Sequence, residues 1–263
     1  MSTHFRQFII GAKVAVALYI ADMSPWTILG VDIPRALLQA LFFVAMASAA
    51  GGETLARFAL IGNAIQVAVL IAIVFMAGVI ETEKWAGTLV YWIASPSKWL
   101  PTMLGRSVAE FGHVLFTSAI IFAVFVPIIA PDIRALNLLR AVPVILITLL
   151  SACTIGWLIG AIALPVRWGT MIGNLVAYSM MILCGINFPV SSLPPVVQSV
   201  SSTIPVTNGL LAIRGLIDGA TYMSVLPLVG KEVVIAIIFG TLAWLCFGYR
   251  LYILRKGGNL DLM

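Results

Sequence analysis

Charge is what this sequence has least of. Asp, Glu, Lys and Arg together make up 10% of its 263 residues, against 62% apolar residues, and the mean hydropathy is +1.11. That balance excludes a soluble globular domain and describes an integral membrane protein. A bilayer core of about 30 Å needs about 20 apolar residues per helical crossing, so this length supplies about six crossings and leaves no room for a soluble catalytic domain. Cysteine is scarce too. Cys153, Cys184 and Cys246 sit in separate apolar segments without a CxxC or Cys/His pair, which excludes a disulfide framework or zinc site and leaves buried thiols. Catalytic motifs are missing: the chain contains no HExxH, no GxSxG and no carboxylate cluster for a metal. A carbonyl filter such as TVGYG and acidic residues near a membrane midplane are missing as well, against an ion channel or secondary transporter. Gly230-Lys231 is followed by Glu232 and has no glycine five residues upstream of Gly230, so it is no phosphate loop. Active transport through this chain would draw its energy from a partner.

What is present reads as an all-α membrane protein forming a single domain over residues 1–263. The first stretch, about 3–22, places Arg6 and Lys13 on one side of a helix otherwise made of Phe5, Phe8, Ile9, Val16 and Ile20. Such a helix suits the membrane interface. A cleaved signal peptide is the rival reading, set back by Lys13 breaking the apolar run. Six spans come after it at about 33–50, 58–80, 104–130, 139–164, 170–188 and 226–249, their ends marked by proline, glycine and charge. An even number puts both termini on one side. If that side is cytoplasmic it holds ten of the fifteen Lys and Arg residues, which supports cytoplasmic termini in a multi-pass cell-membrane protein. Ala152, Gly156 and Gly160, and then Gly169 and Gly173, recur at four-residue spacing and mark close helix contacts in spans four and five.

Within the spans ionisable residues are nearly absent, with Glu110 and His113 as the exceptions on one face of span three. Two readings stay open for them: a proton relay, or a polar pair at a helix contact. The charged stretch "ETEKWAGTLVYWIASPSKW", 81–99, lies between two of the most apolar segments and would be the longest cytoplasmic loop. Trp85, Leu89 and Trp92 at i, i+4 and i+7 predict a helix with one apolar face on the bundle, leaving Glu83, Gly87 and Thr88 near another face to dock a soluble partner. An interfacial loop with aromatic anchors is the plainer alternative.

"EKWAGTL" followed by Ser95-Pro96 resembles the cytoplasmic motif of ABC type-2 exporter permeases, roughly E-x-x-x-G-T-L, a short apolar helix, then Ser/Thr-Pro. Glu83, Gly87, Thr88 and Leu89 match it, whereas Trp85, Ala86 and Val90 stand where the family is often more charged. A second resemblance lies between spans five and six, where the family's G-x-x-F-P…L-P…P-x-T…R pattern is carried by Phe188, Pro189, Leu193, Pro194, Pro205, Thr207 and Arg214. The residues themselves agree, since prolines 189, 194, 195 and 205 forbid a continuous helix. Val196, Val197, Val200 and Ile204 form an apolar stripe opposite Gln198, Ser199, Ser201 and Ser202, as in short broken helices dipping into the outer leaflet.

The resemblance implies a permease subunit without catalytic residues or a cofactor of its own, paired with a second copy or a related permease. ATP and Mg would be bound by a separately encoded ATP-binding-cassette subunit; no nucleic acid partner is expected. The segment 81–99, with Glu81, Glu83, Lys84, Gly87, Thr88, Leu89, Ser95 and Pro96, would couple to that subunit, and 189–215 would form an extracellular gate. The cargo implied first is a drug, antibiotic or other amphiphile, with lipid-linked polysaccharide as the runner-up. A membrane docking or sensory protein that moves no substrate is the alternative from another class.

Overall fold

The computed structural model describes residues 3–22, 25–27, 30–31, 33–94, 99–165 and 168–257, and these are helical almost throughout, with no strand among them. The chain runs α1 (Thr3–Asp22), the single turn α2 (Pro25–Thr27), α3 (Ile33–Trp85), α4 (Leu89–Ala94), α5 (Trp99–Ile120), a π-helical turn (Ile121–Phe125) and α6 (Val126–Ile129). It continues with α7 (Ala135–Ile162), α8 (Gly169–Leu183), a 3₁₀ turn (Val190–Ser192), α9 (Pro195–Ser201), α10 (Thr207–Ile217) and α11 (Tyr222–Gly257). Four helices, α1, α3, α7 and α11, contain windows long and apolar enough to cross a membrane, and α8 is a shorter apolar helix.

Helix α3 is two legs rather than one rod. Gly51 and Gly52 leave helical geometry, Gly52 at φ +70°, and the chain folds back there. Ala36, Leu37 and Ala40 of the first leg thereby line one small cavity with Leu60, Asn63, Ala64 and Val67 of the second. The second leg is the axis of the fold. From Ala59 to Ile73 every residue is buried. It packs on α5, α7 and α8, while α1 lies along α5, and α11 and α10 lie against α7.

The small-residue spacings explain how the axis is enclosed. A Cβ at Gly156 would meet the Ile73 carbonyl and Met76 Cβ at 2.6 Å, so α7 closes on α3 only because that position is glycine. Gly160, Gly169 and Gly173 face Ala77 and its neighbours in the same way. The π-helical turn has a local cause as well, since Pro127 has no N–H to return to the carbonyl four residues earlier and the helix widens ahead of it.

The outer helices are apolar on the side that faces away from the protein. Ile237, Ile238, Leu242 and Leu245 of α11 and Met171, Leu175 and Ile182 of α8 are exposed, the inverse of a soluble bundle and the arrangement a lipid solvent requires. The short helices α9 and α10 replace a continuous helix after α8, as the prolines dictate, with Pro195 in the first turn of α9. Of the polar side only Ser201 is buried, its Oγ donating to the Leu183 carbonyl at 2.6 Å, while Gln198 Nε2 donates to Leu193 O at 2.7 Å; Ser199 and Ser202 are exposed, as are Val196 and Val200 of the expected apolar stripe.

Candidate functional site

The charged stretch 81–99 is built as a helix end. Gly87 N–H donates to Lys84 O and Thr88 N–H to Glu83 O, both at 3.0 Å, with Gly87 at φ +67°. This is a Schellman motif, in which Glu83 is the third residue from the end of α3, Gly87 supplies the left-handed turn and Thr88 closes the longer bond. Leu89 then drops into a buried cluster with Ile80, Met103, Leu164 and Phe247. The spacing E-x-x-x-G-T-L thus has a physical reading: a carboxylate in the last turn, the glycine that ends the helix, the threonine that caps it, and the leucine that anchors the next helix.

This geometry corrects the expectation of one helix carrying Trp85, Leu89 and Trp92 on a common face. Helix α3 stops at Trp85, which is 68% exposed, whereas Leu89 begins a new helix and is buried. The physical cause is Gly87, whose positive φ breaks the 3.6-residue period. The side chain of Trp92, and all of Ser95 and Pro96, lie outside the described residues.

Glu83 does not face outward. Its side chain is 2% exposed; one oxygen accepts from Arg106 Nε and Nη2 on α5, and the other accepts from Thr88 Oγ1. Both oxygens are therefore used inside the chain, as a brace between the end of α3 and the first half of α5. Glu81 does comparable work toward α8, since its Oε2 accepts from Thr170 N at 2.8 Å and Thr170 Oγ1 at 2.7 Å. The carboxylate thus caps the first turn of that helix. Lys84 is buried, and a Cβ on Gly87 would point into open space. Among the described residues this end presents Thr82, Trp85, Ala86, Gly87, Tyr91 and Ala94 to the outside.

The other end of the second leg is held by α10. Arg214 donates from Nη1 to Gly185 O at 2.7 Å and from Nη2 to Ile186 O at 2.8 Å and Phe58 O at 3.1 Å, with its guanidinium over the Phe58 ring. It thereby satisfies carbonyls left open where α8 ends. A Cβ on Gly62 would sit 1.9 Å from Ile186 O, so the glycine admits this crossing. At the start of α10, Glu232 of α11 is fully buried and accepts from Val206 N at 2.6 Å and Gly209 N at 3.0 Å. Between them lie the other motif residues. Thr207 opens α10, Pro205 O accepts from Cys184 Sγ at 3.6 Å, and Pro194 precedes the first turn of α9. Pro189 leads into the 3₁₀ turn that Leu193 closes, and Phe188 lines a cavity of about 570 Å³ with Phe43, Met46 and Tyr178.

Arg106, the counter-charge of Glu83, counted in the sequence only among the basic residues that set the orientation, and Glu232, the cap of α10, was not read as a site residue, although both lie inside the spans drawn there. A charge within a span is the signal that marks them. Asn63 and Gln66, buried in the second leg, were also missed: Gln66 Nε2 donates to Ala177 O at 2.9 Å, which ties α3 to α8, and Asn63 Nδ2 to Asn187 Oδ1 at 2.7 Å, which ties it to the turn after α8. Near Gly51–Gly52, Arg57 of α3 reaches both Asp132 in the loop before α7 and Asp218 at the end of α10, an exposed pair of ion contacts. Glu110 lines a cavity of about 550 Å³ with Arg106, and His113 lies between the rings of Tyr19 and Phe75.

A family model described as ABC-2 type transporter matches residues 23–217, from just after α1 to the last residue of α10. No curated protein gives a significant match to the chain.

Proposed function

The chain belongs to the ABC-2 type transporter family, as a membrane subunit that works with ATP-binding-cassette subunits, and on that premise we propose that it is the permease of an exporter. The legs of α3, then α5 to α6, α7, α8 and α11 are its six spans, both termini are cytoplasmic, and α1 lies in the interface. Two copies form the pathway, and ATP with Mg is held by the cassette subunits. Amphiphiles such as drugs or antibiotics are its cargo. Closure of the cassettes shifts the pair of permeases between inward- and outward-facing states, because the two states differ in their fit to the closed form.

The observation that carries this reading is the helix terminator at 83–89. It fixes Trp85, Gly87 and Tyr91 at the tip of the long buried leg of α3, so force applied there is transmitted along α3 rather than absorbed by a loose loop. In this reading Glu83 positions the coupling surface and Trp85 with Tyr91 makes the contact.

The test is reconstitution of the chain with its cassette subunit in vesicles, followed by ATPase and export assays. Export that depends on both subunits, with no hydrolysis by the chain alone, is expected. Hydrolysis by the isolated chain, or cassette binding without substrate movement, would overturn the proposal. Orientation is checked with cysteines at Tyr91 and Ser199, both exposed. Only the one at Ser199 should react with an impermeant reagent in intact cells.

A further inference from the structure

The cavity of about 550 Å³ near the Glu83 end is bounded by α1, the last turns of α3 and the first half of α5. Its volume is that of a site for a drug-sized molecule. Along α3 the wall changes from apolar at Phe75 and Val79 to polar at Thr82 and Glu83, and α1 closes it with Leu18 and Tyr19. At α5 it meets Arg106 and Glu110, one turn apart on the same face. The described lining therefore holds two carboxylates and one guanidinium; Arg106 is joined to Glu83 and also interacts electrostatically with Glu110, so the acidic groups outnumber the basic one. The rings of Tyr19 and Phe75 are held in place by His113, at 5.5 and 5.3 Å between centroids.

Aromatic rings, a carboxylate and apolar walls in one chamber are the chemistry that recognises a positive charge on an apolar body. We propose that this cavity binds one organic cation of drug size, its charge between Glu110 and the rings of Tyr19 and Phe75, its body against Leu18 and Val79. The inference deepens the export reading by naming a substrate class and a place of entry; binding itself requires no cassette.

The test uses the full chain in lipid nanodiscs, with empty discs subtracted, and a pair of probes of one shape and opposite charge, tetraphenylphosphonium and tetraphenylborate. Saturable binding of the cation, one per chain, is expected, with none for the anion. Glu110→Gln should weaken it at least tenfold and Val79→Trp, which fills the chamber, should abolish it. Because a bulky residue at a buried position can disturb folding, a second readout is kept. A cysteine at the half-exposed Leu18 should react more slowly with maleimide when the cation is present, and at an unchanged rate with the anion. Equal binding of both probes, unchanged cation binding in both variants, or absence of protection at position 18 would overturn the site. Absence of cation binding alongside cassette-dependent export would remove this site and leave the export reading standing.

Discussion

The two ends of the second leg of α3 are both held by buried charge, but in different ways. At the Glu83 end a carboxylate meets a guanidinium, and the brace between α3 and α5 is an ion pair. At the Arg214 end each charge meets backbone: Arg214 takes the carbonyls at the end of α8, and Glu232 takes the amides at the start of α10. The difference matters because an ion pair can be removed as a unit, whereas peptide groups cannot. Deleting both members of a buried pair leaves nothing unsatisfied, and well-packed apolar replacements are often neutral. Deleting Arg214 takes its donors away from the carbonyls of Phe58, Gly185 and Ile186.

The largest effect is therefore expected at Arg214. Arg214→Met should destabilise the chain by about 3–5 kcal/mol, the order found when one partner of a buried charged contact is removed, read as loss of monodisperse protein or a lowered melting temperature in nanodiscs. Arg214→Lys should recover only part of that, because an ammonium cannot span the carbonyls of residues 58, 185 and 186. A variant as stable as the parent would mean that α8 ends adequately without it, and the comparison would collapse.

Much of this frame was legible in the sequence. Gly51–Gly52, Pro189, Pro194, Pro195 and Pro205 mark breaks that stand in the fold, because backbone chemistry acts locally. The spacing of Gly156, Gly160 and Gly173 likewise marked the contact with α3, since a missing side chain is visible without knowing the partner. The partners themselves were not. Glu83 and Arg106 are 23 residues apart and Glu232 is 23 from Gly209. Nothing in a one-dimensional pattern says which of several charges a buried carboxylate will meet. Periodicity misled at Trp85–Leu89–Trp92 for a related reason, since one residue at positive φ turns a regular spacing into two unrelated faces.

A middle-sized effect is expected at Glu232. Glu232→Gln keeps one acceptor for the amides of Val206 and Gly209 but loses the charge, and should cost about 1–2 kcal/mol, the scale of a charge-assisted cap against a neutral one. Thermal unfolding measures it. A cost equal to that of Arg214→Met would say that the start of α10, rather than the end of α8, is the weaker joint.

An effect of similar size belongs to Gly87. Since a Cβ there meets nothing, Gly87→Ala pays only for the left-handed conformation, about 1–2 kcal/mol, and should lower cassette coupling through a loosened turn. Gly87→Asn, which tolerates that conformation better, should restore most of it. Equal losses in both would point to steric exclusion of the partner instead. The smallest effect is expected at Arg57, whose contacts with Asp132 and Asp218 are more than a third exposed. Arg57→Gln should change stability by under about 1 kcal/mol, and less at high salt.

The central claim is that Glu83 acts inside the chain, as a brace against Arg106, and reaches the cassette subunit only through the surface it positions. A double-mutant cycle tests it most directly, with Glu83→Gln, Arg106→Met and the double variant each assayed for stability and for cassette-coupled ATPase activity. The account predicts that either single change lowers both quantities and that the double variant is no worse than the poorer single one, as partners in one contact require. Additive losses, or a Glu83→Gln chain of normal stability that has lost only cassette binding, would contradict it and place the carboxylate at the interface.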